Sequence, residues 1–302
     1  TQPSDLGLTE PGHPLLGAAI ELADGSAVFT GRLSLATHSW LAEHAVCDTV
    51  LVPGATFVDL ALAAGAKHVQ ELVISRPLIV PDKDGVQLRV EIGAPDETGS
   101  RTIDIHSRIG NKTWTHHATG SVTDEPHLAT TQPAAWPPAD AQPLDISGFY
   151  QDLADLGYGY GPLFQGVQAA WRDGDSILTQ VALPENTNTD GFGIHPALLD
   201  AALHGALLAE QDQSNGTVRL PYTWTGVSLH ATGATSLRVR LTVVDEETLA
   251  LTATDPTGGP VATINALTTR RVTADQILPA DTKDRSRRPQ HLYHQAWTPV
   301  TA

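Results

Sequence analysis

Two titratable side chains, Asp200 and His204, interrupt an otherwise apolar stretch that runs from Ile194 to Glu210 with the sequence IHPALLDAALHGALLAE. Residues four apart lie on one face of a helix, so the carboxylate and the imidazole point to the same side. A buried polar group loses several kcal/mol of hydration unless it is paired or used. The pair is either a local ion pair that satisfies itself or part of a reactive site, and this stretch alone leaves both interpretations open.

A second apolar stretch, residues 41–68, carries one more candidate, His44. Pro53 and Gly54 mark the start of a helix whose body is apolar on nearly every side. Two buried helices each need other elements around them, and most of the remaining chain shows the two-residue alternation that is typical of strands. We therefore expect two sheets, each curled around one helix, with His44 and Asp200 brought together from different halves.

Composition narrows the classes of function. The 302 residues are 41% hydrophobic and 17% charged, which is enough apolar material for one large or two modest domains. A formal net charge of -16 argues against nucleic acid or an anionic membrane as the main partner. The one cysteine, Cys47, excludes an internal disulfide and a cysteine-only metal site. The sequence contains no apolar run long enough to predict a membrane span, and we expect a cytoplasmic location. The absence of an initiator Met suggests a piece of a longer polypeptide.

The same order of elements occurs twice along the chain. Residues 1–123 predict strands, a buried helix and an antiparallel meander, and residues 147–280 repeat that order. Between them, residues 124–146 contain five prolines and no hydrophobic periodicity, which predicts an extended linker. Residues 281–302 predict a second linker toward a following domain. Its basic run at 283–288 is interpreted as a solvated linker, with a site for an acidic partner as the alternative.

Four short motifs follow one another in a fixed order. They are HAVCDTVLVPG from His44, GYGYGPLFQG from Gly157, HPALLDAALH from His195 and LPYTW from Leu220. In this order and at these separations they resemble the motifs of dehydratase domains of modular type I polyketide synthases. The N-terminal HPLLG fits the same family, and the C-terminal LYHQAWTPV resembles the start of a ketoreductase region. The resemblance covers essentially the whole chain.

This resemblance implies an α+β double hot-dog fold, in which two antiparallel sheets each wrap around a central helix. It also implies removal of water from a 3-hydroxyacyl thioester, carried on the phosphopantetheine of an acyl carrier protein, to give a 2,3-enoyl thioester. No metal or organic cofactor of the domain itself is implied. The implied partners are the acyl carrier protein, the neighbouring synthase domains and a second copy in a homodimer.

The family's catalytic pair matches His44 and Asp200. An imidazole with an ordinary pKa near 6.5 suits the general base that removes the weakly acidic C2 proton. Asp200 suits the general acid that protonates the departing hydroxide, provided that its apolar surroundings raise the pKa of the carboxyl. His204 is expected to orient Asp200.

The other predicted site residues surround this pair. Gly54 is the expected oxyanion donor, because a helix N-terminus offers free N–H groups and a favourable dipole. Tyr158 is expected to bond the substrate or hold the catalytic pair. Gly161, Pro162 and Phe164 are expected to shape the pocket wall.

One position departs from the family pattern, since Asp48 stands where the family usually has Gly. We expect its side chain to crowd the turn after His44 or to add a charge near the site. Zinc is not expected, because the histidines that might bind it match no compact metal-site spacing. Those histidines are His13, His44, His195 and His204. Neighbouring His116 and His117 are expected to face opposite sides of a strand.

Three other functions remain open at this stage. The same catalytic pair would serve to add a distant hydroxyl across the new double bond, giving a cyclic ether, or to shift that double bond. A non-catalytic scaffold module would keep the fold without turnover, with Asp48 as its defect. A small-ligand binding domain with a structural polar pair is the remaining alternative, because fold alone does not establish function.

Overall fold

This computed structural model describes residues 7–125, 135–209 and 217–277. Its secondary structure consists mostly of antiparallel strands, with few helices. The linker predicted at 281–302, with its basic run, lies outside the described residues. No helix in these ranges is long and apolar enough to cross a membrane.

The first half places one α-helix and one short 3₁₀ helix (Ser39–Glu43) among eight strands. The strands are β1 (Ala18–Glu21), β2 (Ala27–Leu33), β3 (His44–Val46), β4 (Thr49–Val50), β5 (His68–Ile74), β6 (Val86–Ile92), β7 (Ser100–Ile109) and β8 (Thr115–Thr123). The helix, α1 (Gly54–Ala63), follows β4, and every residue from Ala55 to Ala61 is buried. Burial on all sides agrees with the apolar sequence and places α1 inside the wrapping sheet.

The second half repeats the arrangement. Its strands are β9 (Gln142–Leu144), β10 (Tyr158–Tyr160), β11 (Val167–Asp173), β12 (Ser176–Ala182), β13 (Thr217–Leu229), β14 (Ser236–Val243), β15 (Thr248–Thr254) and β16 (Pro260–Thr273). Its helices are α2 (Phe149–Asp155), α3 (Pro196–Leu203), α4 (Gly205–Ala209) and α5 (Ala274–Ile277). In α3, every residue from Pro196 to Ala202 is buried, and the helix packs against α1.

The two wrapping sheets join edge to edge into one 13-stranded sheet. Its order is β1-β2-β6-β7-β8-β5-β13-β16-β15-β14-β12-β11-β9, with β5 of the first half antiparallel to β13 of the second. The alternation expected of strands is present: in β6, Val86, Leu88 and Val90 face the core. The predicted double hot-dog architecture is confirmed, with the two sheets continuous.

A second, three-stranded sheet in the order β10-β3-β4 brings two sequence motifs together. Strand β10 is antiparallel to β3, so that Tyr160 lies opposite His44 and Tyr158 lies opposite Val46. This sheet carries a part of the second half onto the segment that precedes α1. It therefore places aromatic side chains beside His44.

The predicted single helix from Ile194 to Glu210 is wrong in one respect. The helix is interrupted at His204, between α3 and α4. A Cβ at Gly205 would lie 2.9 Å from Leu241 Cδ1 and 2.9 Å from Thr179 Cγ2. Glycine permits this close approach to β12 and β14, and its low helix propensity favours a break.

Part of the proline-rich segment predicted as a linker forms regular structure. Residues 126–134 lie outside the described residues, whereas residues 142–144 form β9. Strand β9 pairs with β11 at the edge of the large sheet, where Pro143 lies opposite Trp171. Proline is tolerated there because an edge strand leaves one row of backbone groups unpaired.

Candidate active site

His44 is held in a defined tautomer. The residue lies in β3 and is 5% exposed, and its Nδ1 is 2.9 Å from the carbonyl oxygen of Leu51. A carbonyl oxygen only accepts hydrogen bonds, so Nδ1 carries the hydrogen and donates it. The other ring nitrogen, Nε2, is thereby left with a free lone pair, which is the state that a general base needs.

The turn after His44 explains why glycine suits position 48. Cys47 and Asp48 link β3 to β4 with φ angles of 48° and 59°, in the left-handed region. Glycine adopts this region without a steric penalty, and aspartate tolerates it better than most residues. Asp48 is exposed, so its side chain points away from the buried His44, and the cost of a side chain at this position falls on the backbone of the turn.

Burial and neighbouring charges shift the pKa of two side chains around this turn. Burial lowers the pKa of His44, while the charge of Asp200 and the Leu51 carbonyl raise it and the charge of His204 lowers it. Burial raises the pKa of Cys47, and the charge of Asp48 raises it further.

Asp200 extends from α3 toward His44 without reaching hydrogen-bond distance. Its carboxylate is 6% exposed, and Oδ2 is 3.7 Å from His44 Nε2. Oδ2 also lies 3.1 Å from His204 Nε2, so His204 donates to the aspartate, which is the contact that the four-residue spacing predicted. The 3.7 Å separation keeps the His44 lone pair and the carboxylate apart, although both groups are buried.

Burial opposes the charged form of both groups. It raises the pKa of Asp200, but the His44 charge and the hydrogen bond from His204 lower it, so that the net direction is downward. The expectation of a raised pKa for Asp200 is therefore not met in the free domain. The contribution of His44 exists only while His44 is protonated, and burial lowers the pKa of His44. When His44 is neutral, the effect of burial on Asp200 is opposed by His204 alone.

Two tyrosines that the sequence interpretation missed complete this group. The Tyr150 hydroxyl lies 3.3 Å from His204 Nδ1 and accepts the N–H of Val167 at 2.9 Å. The Tyr160 ring lies 4.3 Å from the His204 ring, between centroids, and 5.6 Å from that of His44. Burial raises the pKa of both tyrosines, so both stay neutral. The two-residue spacing of Tyr158 and Tyr160 in a strand was the available signal for Tyr160.

The hydroxyl of Tyr158 makes two contacts with β13. It accepts the backbone N–H of Arg219 at 2.6 Å and donates to the carbonyl of the same residue at 3.2 Å. These contacts anchor β10 on β13. The Tyr158 ring is 5% exposed and stacks on Tyr160.

Of the three residues expected to form the pocket wall, only Phe164 contacts the catalytic pair. Its ring is fully buried and lies 5.1 Å from the His44 ring. Gly161 donates its N–H to the carbonyl of Glu43, and a Cβ there would lie 2.7 Å from the Glu43 side chain. Pro162 is exposed. The GYGYGPLFQG motif thus binds a loop to Glu43 and packs the Phe164 ring against the His44 ring.

Gly54 begins α1, as the sequence predicted, with Pro53 in the N-cap position. It borders the same cavity as His44 and Asp200. A Cβ at Gly54 would lie 2.9 Å from Pro221 Cβ, which belongs to the LPYTW motif. Glycine is therefore required for close packing here, and the first N–H groups of the helix lie beside the cavity.

Two cavities meet at Asp200. One, of about 240 Å³, is bordered by His44 and Gly54, and the other, of about 630 Å³, by Leu203 and Leu207. Six residues border both cavities: Tyr158, Tyr160, Asp200, Arg219, Pro221 and Arg271. Asp200 thus lies where two spaces converge, which is the arrangement expected of a site for an elongated ligand.

The histidines considered as zinc ligands are dispersed over several contacts. His13 pairs with Asp59 at 2.7 Å, and His195 caps α3 by accepting the N–H of Ala197. Among the described residues, no group of three or more histidine, cysteine, aspartate or glutamate side chains is arranged to hold a metal ion. As predicted, His116 and His117 face opposite sides, since only His117 is buried.

Comparisons with known proteins agree on one family. The family model described as polyketide synthase dehydratase domain matches residues 13–108, and the model described as polyketide synthase dehydratase N-terminal domain matches residues 128–278. Polyketide synthase GfsE of Streptomyces halstedii is 47% identical over 316 residues, covering 99% of this chain and 8% of GfsE. The chain thus spans a small part of that synthase.

Solved structures agree in fold. A dehydratase structure described for the borrelidin and fluvirucin polyketide synthases has a TM-score of 0.85 at 44% identity, covering 89% of this chain and 99% of that one. The dehydratase domain from the terminal module of the rifamycin polyketide synthase has a TM-score of 0.83 at 45% identity, covering 88% and 99%.

Proposed function

This chain belongs to the polyketide synthase dehydratase family and is a dehydratase domain of polyketide chain extension, and from that premise we propose how its own residues carry out the reaction. The substrate is a 3-hydroxyacyl thioester and the product a 2,3-enoyl thioester, which makes the domain a hydro-lyase. One observation carries the proposal: the free Nε2 of His44 faces Asp200 across 3.7 Å where two cavities meet.

His44 acts as the general base. Its Nδ1–H is held by the Leu51 carbonyl, so Nε2 takes the C2 proton of the thioester. Because burial lowers the pKa of His44, the base is neutral and ready at neutral pH. A general base or acid in this position contributes about 10²- to 10⁴-fold to the rate.

Asp200 acts as the general acid. With His44 neutral and the substrate excluding water, burial favours the protonated carboxyl. Asp200 then gives its proton to the C3 hydroxyl, which leaves as water while the C2–C3 double bond forms. The proton on His44 returns to Asp200 after product release, across the same 3.7 Å separation, and restores the starting state.

Two further parts of the chain support the reaction. The N–H at the start of α1, at Gly54, donates to the thioester oxygen as negative charge builds on it. Tyr150 and His204 hold Asp200, since the Tyr150 O–H donates to His204 Nδ1 and His204 Nε2–H donates to the carboxylate.

The substrate is delivered by an acyl carrier protein on its phosphopantetheine arm, and the domain needs no cofactor of its own. The two cavities hold the parts of the thioester on either side of the reacting carbons. The domain works beside other synthase domains, with a ketoreductase on its C-terminal side, as a homodimer in the cytoplasm. The geometry gives no separate support to the ether-forming, isomerising or scaffold alternatives.

Mass spectrometry of the domain with both 3-hydroxy diastereomers of a simple acyl thioester tests the proposal. We expect one diastereomer to lose water, and we expect His44→Ala and Asp200→Asn to abolish this loss while remaining folded. A wild-type domain that leaves both diastereomers unchanged, even when they are tethered to the cognate carrier, would support the scaffold alternative. A product with the mass of the enoyl thioester but a shifted double bond would support isomerisation, and the same mass with a new ring, from a substrate that carries a distant hydroxyl, would support ether formation.

A further inference from the structure

A second buried His–Asp pair lies outside the reaction site. Asp59 is in the body of α1 and 1% exposed, and its Oδ2 is 2.7 Å from Nε2 of His13. The N–H of Leu15 donates to His13 Nδ1, so Nε2 carries the hydrogen and donates it to Asp59. Both nitrogens of His13 are therefore occupied.

The other oxygen of Asp59 holds the start of the helix that carries Asp200. Asp59 Oδ1 accepts the N–H groups of Gly193 at 3.0 Å and Ile194 at 3.2 Å. A Cβ on Gly193 would lie 3.3 Å from this oxygen and 2.9 Å from Leu229 Cδ2, so the chain comes as close as glycine allows. His195, the N-cap of α3, follows directly.

These contacts join the two halves of the domain between the segments that carry the proposed catalytic residues. His44 precedes α1 and is linked to it by β4 and Pro53, whereas Asp200 lies in α3. Asp59 thus connects the helix that follows the base to the segment that leads to the acid. Since a misplacement of about 1 Å in a reacting group costs up to about 10²-fold in rate, the alignment of these helices has catalytic weight.

We propose that Asp59, held by His13, is a positioning residue that sets the separation of His44 and Asp200 by anchoring the start of α3 on α1. This inference rests on the proposed dehydratase function. An ionised carboxylate is suited to this role because all the groups that surround it donate: one imidazole N–H and two backbone N–H groups.

Asp59→Asn is the direct test, because it keeps the size of the side chain and turns one acceptor oxygen into a donor. The new NH₂ must face either the N–H of His13 or the two backbone N–H groups. We expect kcat to fall about 10- to 100-fold, with KM within threefold of the wild-type value. We also expect the pH profile of kcat/KM to shift, because the charge of Asp200 raises the pKa of His44 and this effect depends on the distance between the two groups. A crystal structure of the variant should show a changed distance from His44 Nε2 to Asp200 Oδ2.

Ser107→Ala is the matched control. It removes the 2.7 Å hydrogen bond between Ser107 Oγ and His117 Nε2, a buried contact between β7 and β8 that does not join the helices. We expect a lower Tm with kcat within twofold and an unchanged pH profile. A folded Asp59→Asn that behaves in the same way would overturn the proposal.

His13 variants keep the test decisive if Asp59→Asn does not fold. His13→Gln retains an N–H donor and should keep kcat within about threefold, whereas His13→Leu should lower kcat at least 10-fold. Equal kcat values for these two variants would contradict the proposal. Failure of the proposed function is distinguishable, because the wild-type domain itself would then show no turnover.

Discussion

Each of the two central helices carries a buried aspartate that faces a histidine, and the two pairs differ in how completely their hydrogen-bonding groups are used. His13 and Asp59 lie 2.7 Å apart, and their remaining atoms bind backbone N–H groups. His44 and Asp200 lie 3.7 Å apart beside two cavities, and His44 Nε2 points at the carboxylate without a hydrogen bond.

The comparison shows that residue type does not decide whether a buried pair is reactive. A pair with every donor and acceptor satisfied has no lone pair or proton to offer and stabilises the fold. A pair held apart by other contacts, here through Leu51 and His204, keeps a lone pair available for substrate. Exchanging a residue in the open pair should therefore change mainly turnover, whereas exchanging one in the closed pair should change stability as well as turnover.

The largest expected effect is on turnover, in the open pair. His44→Ala or Asp200→Asn should lower kcat at least about 10³-fold, because each removes one half of the proton transfer. The Tm of Asp200→Asn should change by less than about 3 °C, since the remaining side-chain oxygen still accepts the hydrogen bond from His204. Turnover assays and calorimetry on the same preparations check this. A large fall in Tm for Asp200→Asn would place the open pair among the structural ones.

The closed pair should show its main effect in stability. His13→Ala leaves the Asp59 carboxylate without its histidine partner, and removing one member of a buried pair destabilises by about 3 to 5 kcal/mol. Denaturant unfolding would measure this loss. The comparison fails if His13→Ala unfolds at the same denaturant concentration as the wild type.

A smaller effect is expected where the open pair is supported. Tyr150→Phe removes the O–H that faces His204 Nδ1 at 3.3 Å, so His204 is less firmly held toward Asp200, and kcat should fall about 10-fold. Ser107→Ala serves again as the control, because its hydroxyl bonds His117 between β7 and β8. It should change Tm and leave kcat within about twofold. Equal effects of the two variants on kcat would exclude a specific role for Tyr150.

The smallest effect concerns pH. Burial lowers the pKa of His44 from its ordinary value, so the base stays neutral as the pH falls through 6.5. The acid limb of kcat/KM should have its midpoint below pH 6.5, with activity kept above the midpoint and lost below it. In Asp200→Asn the charge that raises the pKa of His44 is gone, so NMR titration should show a still lower midpoint. A midpoint above 6.5 in the wild type would mean that burial does not control the base.

Much of the fold followed from local pattern. The two-residue alternation predicted strands such as β6, and Pro53-Gly54 marked the start of α1. Periodicity acts over neighbouring residues, so it is visible in the sequence. The break at His204 was missed because the contacts that favour it come from β12 and β14.

The site was predicted in part for the same reason. His44, Asp200 and His204 came from polar residues in apolar stretches and from the motifs, and Asp59 shows the same anomaly in α1 without having been singled out. Tyr150 was missed because it belongs to none of the four motifs. The hydrogen bonds of the Tyr158 hydroxyl to β13 were not predicted, because that part of the strand lies 61 residues away in the chain.

The sequence by itself determined the helical and two-residue patterns of apolar residues. These patterns predicted the two buried helices, the strands and the polar residues that are buried among them. Only the tertiary structure decided that His13 closes on Asp59 at 2.7 Å while His44 stands 3.7 Å from Asp200. Those distances depend on contacts between segments far apart in the chain, such as Asp59 with Ile194. Because a local pattern carries no information about such distances, the difference between a structural pair and a reactive pair appears only in the folded chain.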